Sequence, residues 1–171
     1  MNSVQIHLAL THVPVILCLL GLAMLITALI IKNNALVKTA YILLLIAGIS
    51  VLPVYFTGEG AEETVEHLPG VSEALIEEHE DMAKFALVSI LATGTLALAT
   101  YVSLRWIKTN QVLKIFVILL GFLSAGLMIQ TAHLGGQVRH SEIRKGAVAT
   151  NNPESTENTG NTSNEENEND D

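Results

Sequence analysis

Four apolar segments, residues 8–31, 39–57, 83–104 and 115–134, divide this chain, and Lys84 is the only charged residue in any of them. A helix needs about 20 residues to cross roughly 30 Å of hydrocarbon, where no water is present and every backbone N–H and C=O must be bonded within the segment. The segments therefore predict an all-α, antiparallel bundle of four transmembrane helices, at about 8–31, 39–57, 72–104 and 115–134, within a membrane domain of residues 1–146. Composition agrees. Half the chain is hydrophobic and only 15% is charged, with a mean hydropathy of +0.44, more apolar than a soluble domain of this size carries. The first segment lacks a basic leader and is longer than a signal-peptide core, so it is read as a retained helix.

Charge is sharply segregated. Lys32 and Lys38 flank the first connection, and Arg105, Lys108 and Lys114 flank the third, with no acidic residue in either. The second connection, residues 59–81, holds nine acidic residues and no Lys or Arg. By the positive-inside rule the basic connections are cytoplasmic, which puts the acidic loop and both termini of this multi-pass protein outside. Lys84, Arg139, Arg144 and Lys145 run against this pattern. Within the acidic loop, residues 59–67 read as a short helix broken at Pro69-Gly70, after which Ser72 caps the next helix and Glu73 favours its dipole. There Leu75, His79, Met82 and Ala86 fall on one face, while Glu77, Glu78, Glu80 and Asp81 turn away. Residues 147–171 form an acidic tail with no large apolar side chain to bury, which predicts disorder.

All six histidines fall at the expected outer end: His7 and His12 opening the first helix, His67 and His79 around the acidic loop, and His133 and His140 closing the fourth. An ionisable residue in a membrane helix is costly and tends to face the bundle interior, where it binds ligands, ions or protons. Imidazole suits iron, copper and zinc. His12, His79 and His133 share a similar depth on three helices and are expected to face inward, with His7, His67 and His140 nearer water. A b-type haem takes two axial imidazoles from opposed helices and an apolar slot. His79 with His133 is the favoured pair, His12 serving a propionate or as the alternative ligand. Gly126, seven residues before His133 and on its face, would with Gly121, Ser124 and Ala125 keep the fourth helix slim beside the ring.

A copper or zinc site is the other reading, drawing on His7, His12, His79, His133 and His140, or on His79 with Glu78 or Glu80 joined by His7, His67 or His140, although no His-x-x-x-His or Glu-x-x-His pair appears. His7 and His12 diverge on a regular helix, so both serve one site only if the chain unwinds before Pro14. Gly135-Gly136 is expected to break the helix between His133 and His140. The single cysteine, Cys18, excludes an internal disulfide and reads as a small core or lipid-facing residue. No nucleophile elbow, phosphate loop or HExxH is present, which argues against a stand-alone hydrolase or nucleotide enzyme. No basic patch suggests nucleic acid.

The opening residues 5–16 contain IHLALTHVPVI, with Pro14 two residues after His12. This resembles the start of the bacterial membrane proteins grouped as domain of unknown function 2231, which typically read His-Pro-x-x-Val-His-Phe-Pro. The closing AHLGGQVRH, residues 132–140, is similar to that family's final Gly-Gly-x-Leu-Val-Tyr-x-His. The resemblance covers about residues 6–140, including a histidine opening the third helix, here His79. No Pro follows His7, and the spacer between Gly136 and His140 is shorter than the family's. The resemblance implies a histidine layout like that of membrane cytochromes b, and with it a haem or redox role. Together the readings point to one-electron transfer through haem b between a quinone or membrane oxidoreductase and an outer partner. The alternative is an accessory or assembly subunit that binds copper, zinc or no metal; either suits a membrane complex or homo-oligomer.

Overall fold

The computed structural model describes residues 2–69, 71–104 and 111–139. All regular structure among them is helical: α1 Ser3–Ile30, α2 Asn34–Val65, α3 Glu73–Ser103 and α4 Gln111–Arg139. All four are long and apolar enough to cross a membrane. The acidic tail, His140 and the charges Arg105, Lys108, Arg144 and Lys145 lie outside the described residues.

The helices overrun the apolar segments because their polar ends are capped rather than frayed. At the start of α1 the Asn2 side chain accepts from the Val4 N–H at 3.4 Å and the Gln5 side chain accepts from the Asn2 N–H at 3.3 Å, satisfying two orphan donors. At its end Lys32 takes a positive φ of 54°, and the Asn33 N–H closes the turn onto the Ala28 carbonyl at 2.9 Å. The same Asn33 caps α2, its side chain accepting from Ala35 and Leu36 at 3.0 and 3.2 Å. One residue thus ends a helix and begins the next, and the two must run antiparallel.

Residues 59–65 do not form a separate acidic helix; they continue α2. At 32 residues, α2 is about 48 Å long at 1.5 Å per residue, so it exceeds a bilayer core by several turns. Ser72 does start α3, though through its carbonyl and not its side chain. The pair Gly135-Gly136 does not break α4, which runs on to Arg139. Two glycines cost only about 2 kcal/mol of propensity, and the turn they occupy packs against α3.

Packing gives the order α1, α2, α3, α4 around a ring. α1 lies on α2, α2 on α3 and α3 on α4, while α4 closes back on α1 more loosely; α1 and α3 are diagonal, as are α2 and α4. The core holds Cys18, Leu25, Tyr41, Leu44, Ile90 and Val117. Outward, Phe85, Val88 and Phe116 are 65%, 67% and 57% exposed, an apolar exterior that only lipid satisfies. Polarity is turned inward: Ser124 bonds Ser89 at 2.7 Å and Thr93 at 2.8 Å in the buried α3–α4 seam. The hydroxyls of Thr11, Thr39 and Thr95 bond carbonyls one turn back in their own helix, which meets each of these three hydroxyls within its own helix.

The tightest crossing is between α2 and α3. A Cβ on Gly48 would sit 3.1 Å from the Ile90 carbonyl oxygen, and one on Gly94 would sit 3.2 Å from the Leu44 carbonyl oxygen. Backbone cannot yield as a side chain can, so larger residues must part the helices. Gly94→Leu is expected to lower stability by about 1–3 kcal/mol, read as the unfolding midpoint in detergent, whereas Gly126→Leu, which meets open space, should leave it nearly unchanged.

Candidate functional site

The histidines do gather at one end of the bundle, but two of them enter it and they are His7 and His79. His7 Nδ1 lies 3.1 Å from the Val54 carbonyl oxygen on α2, with Thr57 Oγ1 at 3.3 Å. His79 Nδ1 lies 2.9 Å from the Thr131 carbonyl oxygen on α4. A carbonyl oxygen only accepts, so each Nδ1 carries the proton and donates. In the neutral ring that leaves the lone pair on Nε2. Among the described residues neither Nε2 has a hydrogen-bond partner.

Each ring rests on a glycine one turn beyond the carbonyl that it binds. Val54 is followed by Gly58, whose Cβ position lies 3.6 Å from His7 Cε1; Thr131 is followed by Gly135, whose Cβ position lies 3.0 Å from His79 Cε1. That carbonyl already accepts the helical N–H of the residue four further on, which is the glycine itself. An imidazole that shares the oxygen must therefore lie over that residue's Cα, and a side chain there would lift it away. Gly135 is needed at the contact; Gly58 leaves ordinary clearance.

The other expected ligands stand elsewhere. His12 is exposed, its Nδ1 donating to its own helix at Leu8 O, 2.7 Å away. His133 is also exposed, its Nε2 2.7 Å from the Gln137 side-chain nitrogen. The inward convergence expected of His12 and His133 with His79 is thus replaced by His7 with His79. Gly126 shares the face of His133, as its spacing requires, but that face points outward and the glycine is exposed with nothing near its Cβ position. Gly121, Ser124 and Ala125 are buried. His67 is 83% exposed beside Glu66 at 3.2 Å, and His140 lies outside the described residues. His79 keeps the face expected of it, with Met82 and Ala86 inward and Glu77, Glu78 and Asp81 exposed; Glu80 is only half-buried, paired with Lys84 at 3.2 Å.

No set of three or more His, Cys, Asp or Glu side chains converges on a metal position among the described residues. No family model matches the chain, and neither a curated protein nor a solved structure does. The chemistry is thus read from the two imidazoles, each hydrogen-bonded at Nδ1 and, when neutral, each with an Nε2 lone pair to offer from diagonal helices. A metal-bound histidine is ordinarily oriented in this way, with its second ring nitrogen donating to a carbonyl or carboxylate.

Gly135→Ala should displace the His79 ring and break the bond to Thr131, weakening the fold by about 1 kcal/mol. Imidazole nitrogen NMR reads the outcome directly: the His79 Nδ1 proton is expected to exchange faster in Gly135→Ala, and the His7 Nδ1 proton to be little changed in Gly58→Ala.

Proposed function

We propose that this chain is a membrane-embedded electron-transfer protein that binds a b-type haem between His7 and His79. The supporting observation is the matched orientation of the two rings, each fixed through Nδ1 and each with Nε2 unpartnered among the described residues. Two imidazoles from opposed helices are the donor set of a low-spin haem in a helix bundle. The protein's share is to hold both rings at one depth, to exclude water with apolar walls, and to raise ligand basicity through the Nδ1–H bonds. Bound there, haem would supply one-electron chemistry. The end motifs that resemble domain of unknown function 2231 imply a histidine layout like that of membrane cytochromes b, which also supports a haem, although they do not single out this pair.

The proposed setting is a bacterial cytoplasmic membrane with the histidine end outward. Lys32, Lys38 and Lys114 at the opposite end, and the acid-rich ends of α2 and α3 on the histidine side, support that orientation. A quinone or membrane oxidoreductase on the lipid side and a redox partner on the outer side would complete the path.

Pigment decides the assignment. Wild-type protein purified in detergent should show a Soret band and split bands on reduction. His7→Ala and His79→Ala should each lose haem or turn five-coordinate, while His12→Ala, His133→Ala and His67→Ala keep the wild-type spectrum. A colourless wild type, or pigment that survives loss of both rings, refutes the proposal. The orientation has its own readout: a reporter fused after Asp171 should be active only on the outer side of the membrane.

A further inference from the structure

The two histidine contacts are the same contact made twice. His7 on α1 reaches the carbonyl of Val54 on α2 and rests on Gly58; His79 on α3 reaches the carbonyl of Thr131 on α4 and rests on Gly135. In both, the glycine follows the carbonyl by one turn.

The correspondence runs the length of the helices. A shift of 72 residues takes His7 to His79. The same shift takes all six buried residues of α1, Pro14, Cys18, Gly21, Leu22, Leu25 and Ala28, onto buried residues of α3. A shift of 77 takes Val54 to Thr131 and Gly58 to Gly135, and sets the first residue of α2, Asn34, on the first residue of α4, Gln111. It carries six of the eight buried residues of α2 onto buried positions of α4, among them Val37 onto Lys114 and Leu44 onto Gly121. The exceptions, Tyr41 and Ala61, land on the half-buried Ile118 and Val138. A regular helical period alone would match burial at several shifts. The histidine, carbonyl and glycine select these two.

We infer that the chain is a duplicated helical hairpin whose twofold axis runs along the bundle between His7 and His79, and that the two imidazoles form one symmetric site for a single metal centre ligated from opposite sides. The direction of the axis follows from topology. α1 and α3 run the same way and are diagonal, so only a rotation about the bundle's long axis exchanges them. Such a rotation sets both rings at equal depth and turns them toward each other. It gives the donor pair of a bis-imidazole centre rather than the clustered donors of a tetrahedral site.

The inference rests on the haem reading for the identity of the ligand but not for the equivalence of the rings, so two probes separate them. Full-length wild type, His7→Met and His79→Met are titrated with ferric haem b; His7→Ala and His79→Ala are titrated with cobalt(II) alone. Expected are one haem per wild-type chain and, in both Met variants, a haem whose midpoint potential rises to the same extent, as one thioether replaces one imidazole. Should a Met variant fail to assemble, the Gln variant at that position, which keeps an N–H for the carbonyl, takes its place. If one variant shifts and the other keeps the wild-type spectrum and potential, the symmetric site is overturned while haem binding stands. If the wild type takes no haem, the functional reading fails and the cobalt titration decides: one ion per chain, weakened at least about 10-fold and equally in both Ala variants, upholds the twin site. Unequal loss, or no cobalt binding, overturns it.

Discussion

Inside hydrocarbon a peptide group has only other protein groups to bond, and an unmet N–H or C=O there costs several kcal/mol. Most of this structure follows from that requirement. It makes the four segments helical, returns lipid-side threonines to their own carbonyls, and draws Ser89, Thr93 and Ser124 together in a buried seam. It also bears on the histidines. A half-buried imidazole must dispose of one N–H, and helix carbonyls can accept it beside the bond that they already hold. For His79 that needs room above the next turn, and Gly135 gives it; His7 shares the Val54 carbonyl with the Thr57 hydroxyl, with ordinary clearance over Gly58.

The number of helices, the all-helical class and the gathering of histidines at one end were legible in the sequence, because each depends only on segment length and order. Which histidines face inward was legible on α3 and not on α1 or α4. On α3, Glu77, Glu78 and Asp81 mark the wet side of the first turns, so His79 has only one face to take. α1 carries no charged residue at all, and its phase about its own axis leaves no trace in the pattern of apolar residues. His7 and His12, five residues apart, point about 140° from each other, so choosing by depth gave the wrong member. For α4 the shared face of Gly126 and His133 was correct and its direction was not. The clue was the glycine at 135, which reads as a helix breaker until a ring is seen resting on it.

Departures from twofold symmetry are as informative as its observance. At the α2–α3 crossing Gly48 and Gly94 meet; at the corresponding α4–α1 crossing stand Ala125 and Leu22. Leu22 reaches to 3.1 Å from the Cβ position of Gly121, and this seam is the looser of the two. Tyr41, whose counterpart in the other half is Ile118, is 1% exposed and its hydroxyl has no partner among the described residues. A buried hydroxyl left bare costs about 1–3 kcal/mol, so this half holds a polar group for which packing gives no reason.

The carbonyl that orients His79 belongs to the last helix in the chain. During synthesis the first hairpin can close as soon as α2 has left the ribosome, fixing His7 on Val54, whereas His79 emerges with nothing to hold its ring. It stays unaligned until Thr131 and Gly135 have been made and α4 has docked. Between the completion of α2 and that of α4 the nascent protein thus has one ring set and the other free. Any partner that must meet both rings can be captured only by a chain whose membrane domain is all but finished.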